Sequence, residues 1–253
     1  MLNQQTLEKL TWMKLTTLCA EYRRQQDDLQ MAQLTFDERF GLLVDSEFTA
    51  RQNKFLSNLI AKAGMRQNAC LEDLDYSVSR GLSRDLVIQL SSCGWIREGH
   101  NLLITGATGT GKSFLACAFG NCACRQRLKV QYYRVNRLLT DLAIARGDGS
   151  YNKLMKTLKK AQLLILDDWG LAPLDATAGR DLLEVIEDRC QERSTMIVSQ
   201  LPIAQWHPLF ADVTVGDAVL DRLVHDAIRI PLACESMRLL RSRKGGDKSS
   251  VTS

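Results

Sequence analysis

The sequence predicts an α/β fold, a mostly parallel sheet covered by helices on both faces, preceded by a small all-α module. Three observations carry that reading. Apolar, strand-like runs at Asn101–Thr105, Val130–Val135, Leu163–Leu166, Thr195–Ser199 and Ala227–Ile230 alternate with helical segments, the pattern from which strand–helix–strand units build a parallel sheet. The first run leads straight into Gly106-Ala-Thr-Gly-Thr-Gly-Lys-Ser113, a glycine-rich turn between a strand and a helix. Ahead of these, residues 1–67 show helical spacing and no strand-like run.

From Gln4 to about Gln30 the apolar residues Leu7, Leu10, Leu15 and Leu18 recur at helical spacing without Pro or Gly, which predicts an unbroken helix. Thr35 with Glu38 three residues later predicts a capping box. The helix it opens runs through Phe36, Phe40, Leu43 and Phe55 to about Ala63, where Gly64 supplies a C-terminal stop. Residues 68–100 read as a connector with a short helical patch at Asp85–Leu90. Residues 101–240 complete the α/β domain, so that it spans 68–240, and 241–253, basic and then rich in Gly and Ser, form a mobile tail.

Composition narrows the classes. With 45% apolar and 25% charged residues, the chain buries a sizeable core. No apolar run approaches the roughly 18 residues needed to cross a bilayer, and no leader pattern opens the chain, which predicts a cytoplasmic protein with no membrane partner. The eight cysteines form no C-x-x-C pair, and the three histidines lie far apart, which argues against a structural zinc site. A net charge of +4 permits nucleic acid as a partner without requiring it.

The turn Gly106–Ser113 satisfies G-x-x-x-x-G-K-[ST], with a strand before it and a helix after it. Glycines at 106, 109 and 111 let backbone N–H groups close around phosphate oxygens, and the helix N-terminus adds positive potential. Gly106, Ala107, Thr108, Gly109, Thr110, Gly111, Lys112, Ser113 and Phe114 are therefore the candidate triphosphate cradle. Lys112 is expected to reach the β- and γ-phosphates of ATP, and the Ser113 hydroxyl to ligate Mg2+. The buried run Leu163–Leu166 delivers Asp167-Asp168 to the sheet edge where ligands bind in such folds. Asp167 is placed to hold the metal through water, and Asp168 to polarise the attacking water. A plain polar turn is the alternative for that dipeptide.

Together these residues resemble the AAA+ ATPases, and more narrowly the clade of bacterial helicase loaders and IstB-type transposition helper ATPases of insertion sequences. The resemblance covers most of the chain. It rests on Phe36-Asp-Glu-Arg-Phe-Gly-Leu-Leu43, the phosphate loop, Leu166-Asp-Asp-Trp-Gly170, Ser199-Gln-Leu-Pro202, Asp221-Arg-Leu-Val-His225 and Glu235-Ser-Met-Arg238. It implies a P-loop AAA+ three-layer sheet. It makes Ser199, or else Gln200, the polar sensor near the γ-phosphate, Arg222 the arginine finger and Arg238 the second sensor arginine. A finger supplied by a neighbour implies a homo-oligomer with ATP sites between subunits; an ion pair of Arg222 with Asp226 is the alternative. The sequence departs from the commonest pattern at Asp168, where a glutamate usually stands, so a shorter acid must reach the water.

Residues 136–160 hold two helical segments around Gly147-Asp-Gly149 and resemble the helical insertion that contacts DNA in that clade. Lys153, Lys156, Lys159 and Lys160 place most of their ammonium groups on one helical face, which suits duplex DNA bound without base specificity; a solvated helix face is the alternative. Residues 1–68 carry nine basic and eight acidic side chains, so the N-terminal module suits DNA or a protein partner. The function so implied is an ATPase, stimulated by DNA, that assembles on duplex DNA and assists the transposase of its element. A helicase loader shares the clade, and a P-loop small-molecule kinase shares only the loop. The guanine-reading N-K-x-D motif is absent from the sequence.

Overall fold

The computed structural model describes residues 2–77 and 81–233. The chain divides into two compact units, 1–58 and 59–253. The first contains α1 (Leu2–Trp12), α2 (Thr16–Asp27) and most of α3 (Phe36–Ala63). The helix expected over Gln4 to Gln30 is therefore broken. Lys14 enters the left-handed region at φ 59°, which costs an ordinary residue about 1 kcal/mol, and its freed carbonyl accepts from Arg51 Nη2 at 3.2 Å. Glu47, buried on α3, accepts from the Leu18 backbone N–H at 3.0 Å and from Arg51 Nε at 2.7 Å. The break is thus made by tertiary partners on α3, which the local sequence does not show.

The capping box forms as expected: Thr35 N donates to Glu38 Oε2 at 2.8 Å, and Glu38 N donates to Thr35 Oγ1 at 3.3 Å. From that cap α3 runs unbroken until Gly64 ends it at φ 66°. The apolar face read along α3 is only partly buried. Leu43 is buried, but Phe36, Phe40, Phe48 and Phe55 are exposed.

The second unit is built on five parallel strands, β1 (Leu102–Gly106), β2 (Val130–Arg134), β3 (Leu163–Trp169), β4 (Ser194–Ser199) and β5 (Ile228–Leu232), in the order β2-β3-β4-β1-β5. Pro231 sits in β5, and an edge strand is where a missing ladder donor is tolerated. Along the chain lie α4 (Arg84–Ser91), α5 (Gly94–Arg97), α6 (Lys112–Arg125), α7 (Val135–Asp148), α8 (Tyr151–Lys160), α9 (Ala176–Glu187) and α10 (Val213–Val224). Alternation along β3 shows the three layers. Leu164 and Leu166 pack with Leu138, Leu142, Leu158, Leu182 and Val219 from α7 to α10, whereas Ile165 lies under α6, close to Gly120. Both faces of the strand are fully buried, as a parallel sheet requires.

One buried cation ties the insertion to the sheet. Arg189, 1% exposed, donates Nη1 to the carbonyls of Leu158 and Ala161 at the end of α8, Nη2 to Ser194 O at 2.6 Å and Nε to Thr195 Oγ1 at 3.2 Å. Burial pushes its guanidinium down to about 9, still charged at neutral pH. Removing it strands buried carbonyls, each worth about 1–3 kcal/mol. Arg189→Met is expected to lower stability by about 3 kcal/mol, read from the shift in urea midpoint; an unchanged midpoint refutes the clamp.

Candidate nucleotide site

The carboxyl ends of β1, β3 and β4 border a cleft of about 390 Å³. Its floor is the loop between β1 and α6. Gly106 enters that loop at φ 150°, pressed on the backbone of Leu232 in β5 so closely that a Cβ has no room. Gly109 and Gly111 follow at φ 87° and 90°, a left-handed conformation that glycine adopts without strain. Thr108, Gly109, Gly111, Lys112, Ser113 and Phe114 line the cleft, while Thr110 is fully buried beneath it. Ala107 turns its carbonyl inward and accepts from Lys112 Nζ at 2.8 Å and from Thr110 Oγ1 at 3.0 Å. Desolvation lowers the Lys112 ammonium from its ordinary value, and the charges of Asp167 and Asp168 oppose that shift.

Across the cleft, β3 continues through the acidic pair to Trp169, three residues beyond the expected end at Leu166, with its register against β4 shifted between Leu166 and Trp169. That irregularity separates the two carboxylates. Asp167 is 1% exposed; it accepts from the Tyr132 hydroxyl and, through Oδ1, from the Asp168 backbone N–H at 2.8 Å. Burial pushes the Tyr132 hydroxyl far above its ordinary range, and the bond to Asp167 adds to the shift, so tyrosine remains the donor. Asp168 stands in the left-handed region at φ 60° and reaches Arg134 Nε at 3.0 Å.

Arg134 and Tyr132, which hold the acidic pair, were not found by sequence reasoning. The signal lay in register: β2 and β3 pair from their first residues, which sets Arg134 opposite Asp167. Arg66, Gln67 and Asp73–Asp75 also line the cleft.

The other expected site residues lie in different parts of the fold. Ser199 is buried, with its hydroxyl donating to Trp169 O at 2.9 Å and accepting from Leu201 N at 3.1 Å, so it braces β3 against β4. The next residue, Gln200, lines the cleft, and its Oε1 accepts from Thr108 Oγ1 at 2.7 Å. Arg222 lies at the opposite edge of the sheet. Asn101, just before β1, donates Nδ2 to Arg222 O at 3.0 Å, and the two ends of this five-residue strand are roughly 15 Å apart. The Arg222 guanidinium pairs with Glu187 at 2.7 Å, while Asp226, the alternative partner, pairs with His225. Arg238 and the tail lie outside the described residues. On α8, Lys153, Lys156 and Lys160 border one shallow depression, while Lys159 turns to Asp188 at 3.5 Å.

A family model of IstB-like ATP binding proteins matches residues 5–245. The chain belongs to that family. It is 47% identical to the insertion sequence ATP-binding protein y4pL of Sinorhizobium fredii over 96% of this chain and 100% of that one. It is also 47% identical to the ATP-binding protein of insertion sequence IS1162 of Pseudomonas fluorescens over 80% of this chain and 88% of that one. Among solved structures, the DnaC helicase loader matches with a TM-score of 0.57 at 20% identity, covering 66% of this chain and 97% of that chain. AMPPCP-bound DnaA from Aquifex aeolicus matches with a TM-score of 0.57 at 18% identity, covering 74% of this chain and 57% of that chain. At those identities the likeness is one of fold, and the fold is the P-loop AAA+ sheet. Among the described residues, no helix is long and apolar enough to cross a membrane.

The entry to the family's nucleotide loop depends on glycine at 106, because its φ and the Leu232 backbone both exclude a side chain. Gly106→Ala is expected to destabilise the fold by more than about 2 kcal/mol, as measured by chemical denaturation; a change below about 0.5 kcal/mol counts against this reading of the loop.

Proposed function

We propose that this IstB-family protein is a Mg2+-dependent ATPase that assembles on duplex DNA as a homo-oligomer and assists the transposase of its own insertion sequence. The observation that carries the proposal is the opposition, within one cleft, of the Lys112 loop and the Asp167–Asp168 pair. The donor set suits a magnesium nucleotide, since Ser113 and Asp167 offer hard oxygen ligands facing a loop of backbone donors. When bound, magnesium supplies positive charge against the phosphate oxygens. Lys112 exchanges the Ala107 carbonyl for phosphate, Tyr132 holds Asp167 in one orientation, and Asp168 accepts the proton of the attacking water once Arg134 releases it. Gln200, bonded to Thr108, takes the sensor position between loop and sheet. Ser199 supports it from behind.

Arg222 serves the ATP site of a neighbouring subunit, because the length of β1 separates it from its own loop. Lys153, Lys156 and Lys160 track DNA phosphates in a salt-dependent, sequence-independent way. The proposed domains are an N-terminal module over 1–67 for DNA or partner contact, an AAA+ domain over 68–240 and a basic tail over 241–253. The work is cytoplasmic. Helicase loading is the competing reading, and capture of helicase in place of transposase would replace this one.

The decisive measurement is ATP turnover with and without duplex DNA, with assembly size followed in parallel. Lys112→Ala is expected to lose ATP affinity by tenfold or more, roughly, and Asp168→Asn to retain binding with turnover reduced about 10²-fold. Arg222→Ala is expected to bind ATP and hydrolyse it about 10³-fold more slowly. Mixing the Lys112→Ala and Arg222→Ala proteins should restore turnover, since each complements the other across an interface; an inactive mixture refutes the shared site. Replacing Lys153, Lys156 and Lys160 together by Ala should weaken DNA binding and flatten its salt dependence without changing ATP affinity. Unchanged DNA affinity removes α8 from the interface.

A further inference from the structure

At the end of α6 remote from the nucleotide loop, two thiols converge. Cys122 lies in the last turn of α6, half-buried, and its Sγ donates to the Ser91 carbonyl at 3.3 Å. Cys93, fully buried in the left-handed residue between α4 and α5 at φ 54°, points its Sγ at the same carbonyl at 3.7 Å. One carbonyl oxygen thus lies within reach of both sulfurs. Their environments differ. Cys122 lines a second cavity of about 390 Å³ that also holds Cys70 and Arg125, whereas Cys93 does not reach that cavity. Arg125 occupies itself with Cys70 Sγ at 3.1 Å and Glu72 at 2.6 Å, leaving its positive charge beside Cys122.

We propose that Cys122 and Cys93 form a reactive dithiol, in which hydrogen peroxide oxidises Cys122 from the cavity side and Cys93 resolves the product to an intramolecular disulfide. The Cys122 thiolate attacks one peroxide oxygen, the O–O bond breaks, and the departing hydroxide takes up a proton to become water. Cys122 is then a sulfenic acid. The Cys93 sulfur attacks that sulfur, the S–S bond forms and the S–O bond breaks. The second hydroxide leaves with the Cys93 proton as water. Two thiols lose two electrons, and one peroxide gains them.

The electrostatics select this order of events. The neighbouring Cys93 thiol, helped by the Arg125 charge, holds the Cys122 thiol down to about 7 against burial. Proximity to Cys122, together with burial, pushes Cys93 well above its ordinary range. The accessible sulfur is therefore the nucleophile and the sealed one the resolving group. The bridge joins the segment ahead of β1 to the helix that carries Lys112. None of these side chains lines the nucleotide cleft, so the inference is independent of the ATPase reading.

The test uses the reduced full-length protein, treated with an equivalent of hydrogen peroxide, alkylated and digested for mass analysis. A peptide joining Cys93 to Cys122, lighter by two hydrogens and released by dithiothreitol, is the expected result. In the untreated protein Cys122 should be alkylated at pH 7 at least about tenfold faster than Cys190. In Cys93→Ser protein, Cys122 should stop at sulfenic acid, trapped by dimedone. A bridge from Cys122 to any other cysteine overturns the assignment. So does wild-type protein in which Cys122 is oxidised while Cys93 still accepts the alkylating agent.

Discussion

All described strands of the ATP-binding unit run in the same direction, and that constraint organises the rest. Parallel register brings the ends of β1, β3 and β4 to one edge, so the Lys112 loop, Asp167–Asp168 and Gln200 meet there, with a local irregularity in β3 at the acidic pair. The contact that fixes β1 at this edge is the approach of Gly106 to the Leu232 backbone in β5. Without a side chain at 106 the loop can turn at once, and the helix that follows presents its N-terminus to the cleft. The other edge gathers a different set: Asn101 caps the end of α10 at Arg222 and accepts from Thr195 N at 2.9 Å, and Thr195 in turn accepts from Arg189. Polar groups thus connect the end of α8 to Arg222 along the amino edge of the sheet.

Much of this was legible in the sequence, for physical reasons. Strands buried on both faces read as continuous apolar runs, so Leu163–Leu166 and Thr195–Ser199 fall within one residue of an observed boundary or inside the observed strand. The phosphate loop was legible because its glycines are each required by a backbone angle, and the capping box because its partners are three residues apart. What escaped depended on groups distant in sequence. The break at Lys14 is supported by Arg51, and Arg134 meets Asp168 only when two strands pair. Ser199 and Gln200 both suited the sensor position in sequence. Their side chains part in the fold, Ser199 toward β3 and Gln200 toward the cleft.

The α8 lysines show how one surface can carry two kinds of cation. Lys153, Lys156 and Lys160 follow one another at spacings of three and four residues and share a face, while Lys159 is taken up by Asp188. An amphipathic helix needs its apolar side anchored to hold such a face steady, and Met155 and Leu158 provide that anchor in the core. Arg189 secures the last turn through carbonyls that a helix end otherwise leaves open. The exposed charges therefore stand on a fixed base.

The backbone at Asp168 bears on why this family member has the shorter acid. A residue held at φ 60° is in territory where aspartate and asparagine are several-fold enriched over other side chains, glycine aside. Glutamate lacks the local hydrogen bonding that eases aspartate into that conformation. The kink in β3 therefore favours a short acid at this position on conformational grounds alone, and a longer acid there would call for a relaxed backbone as well.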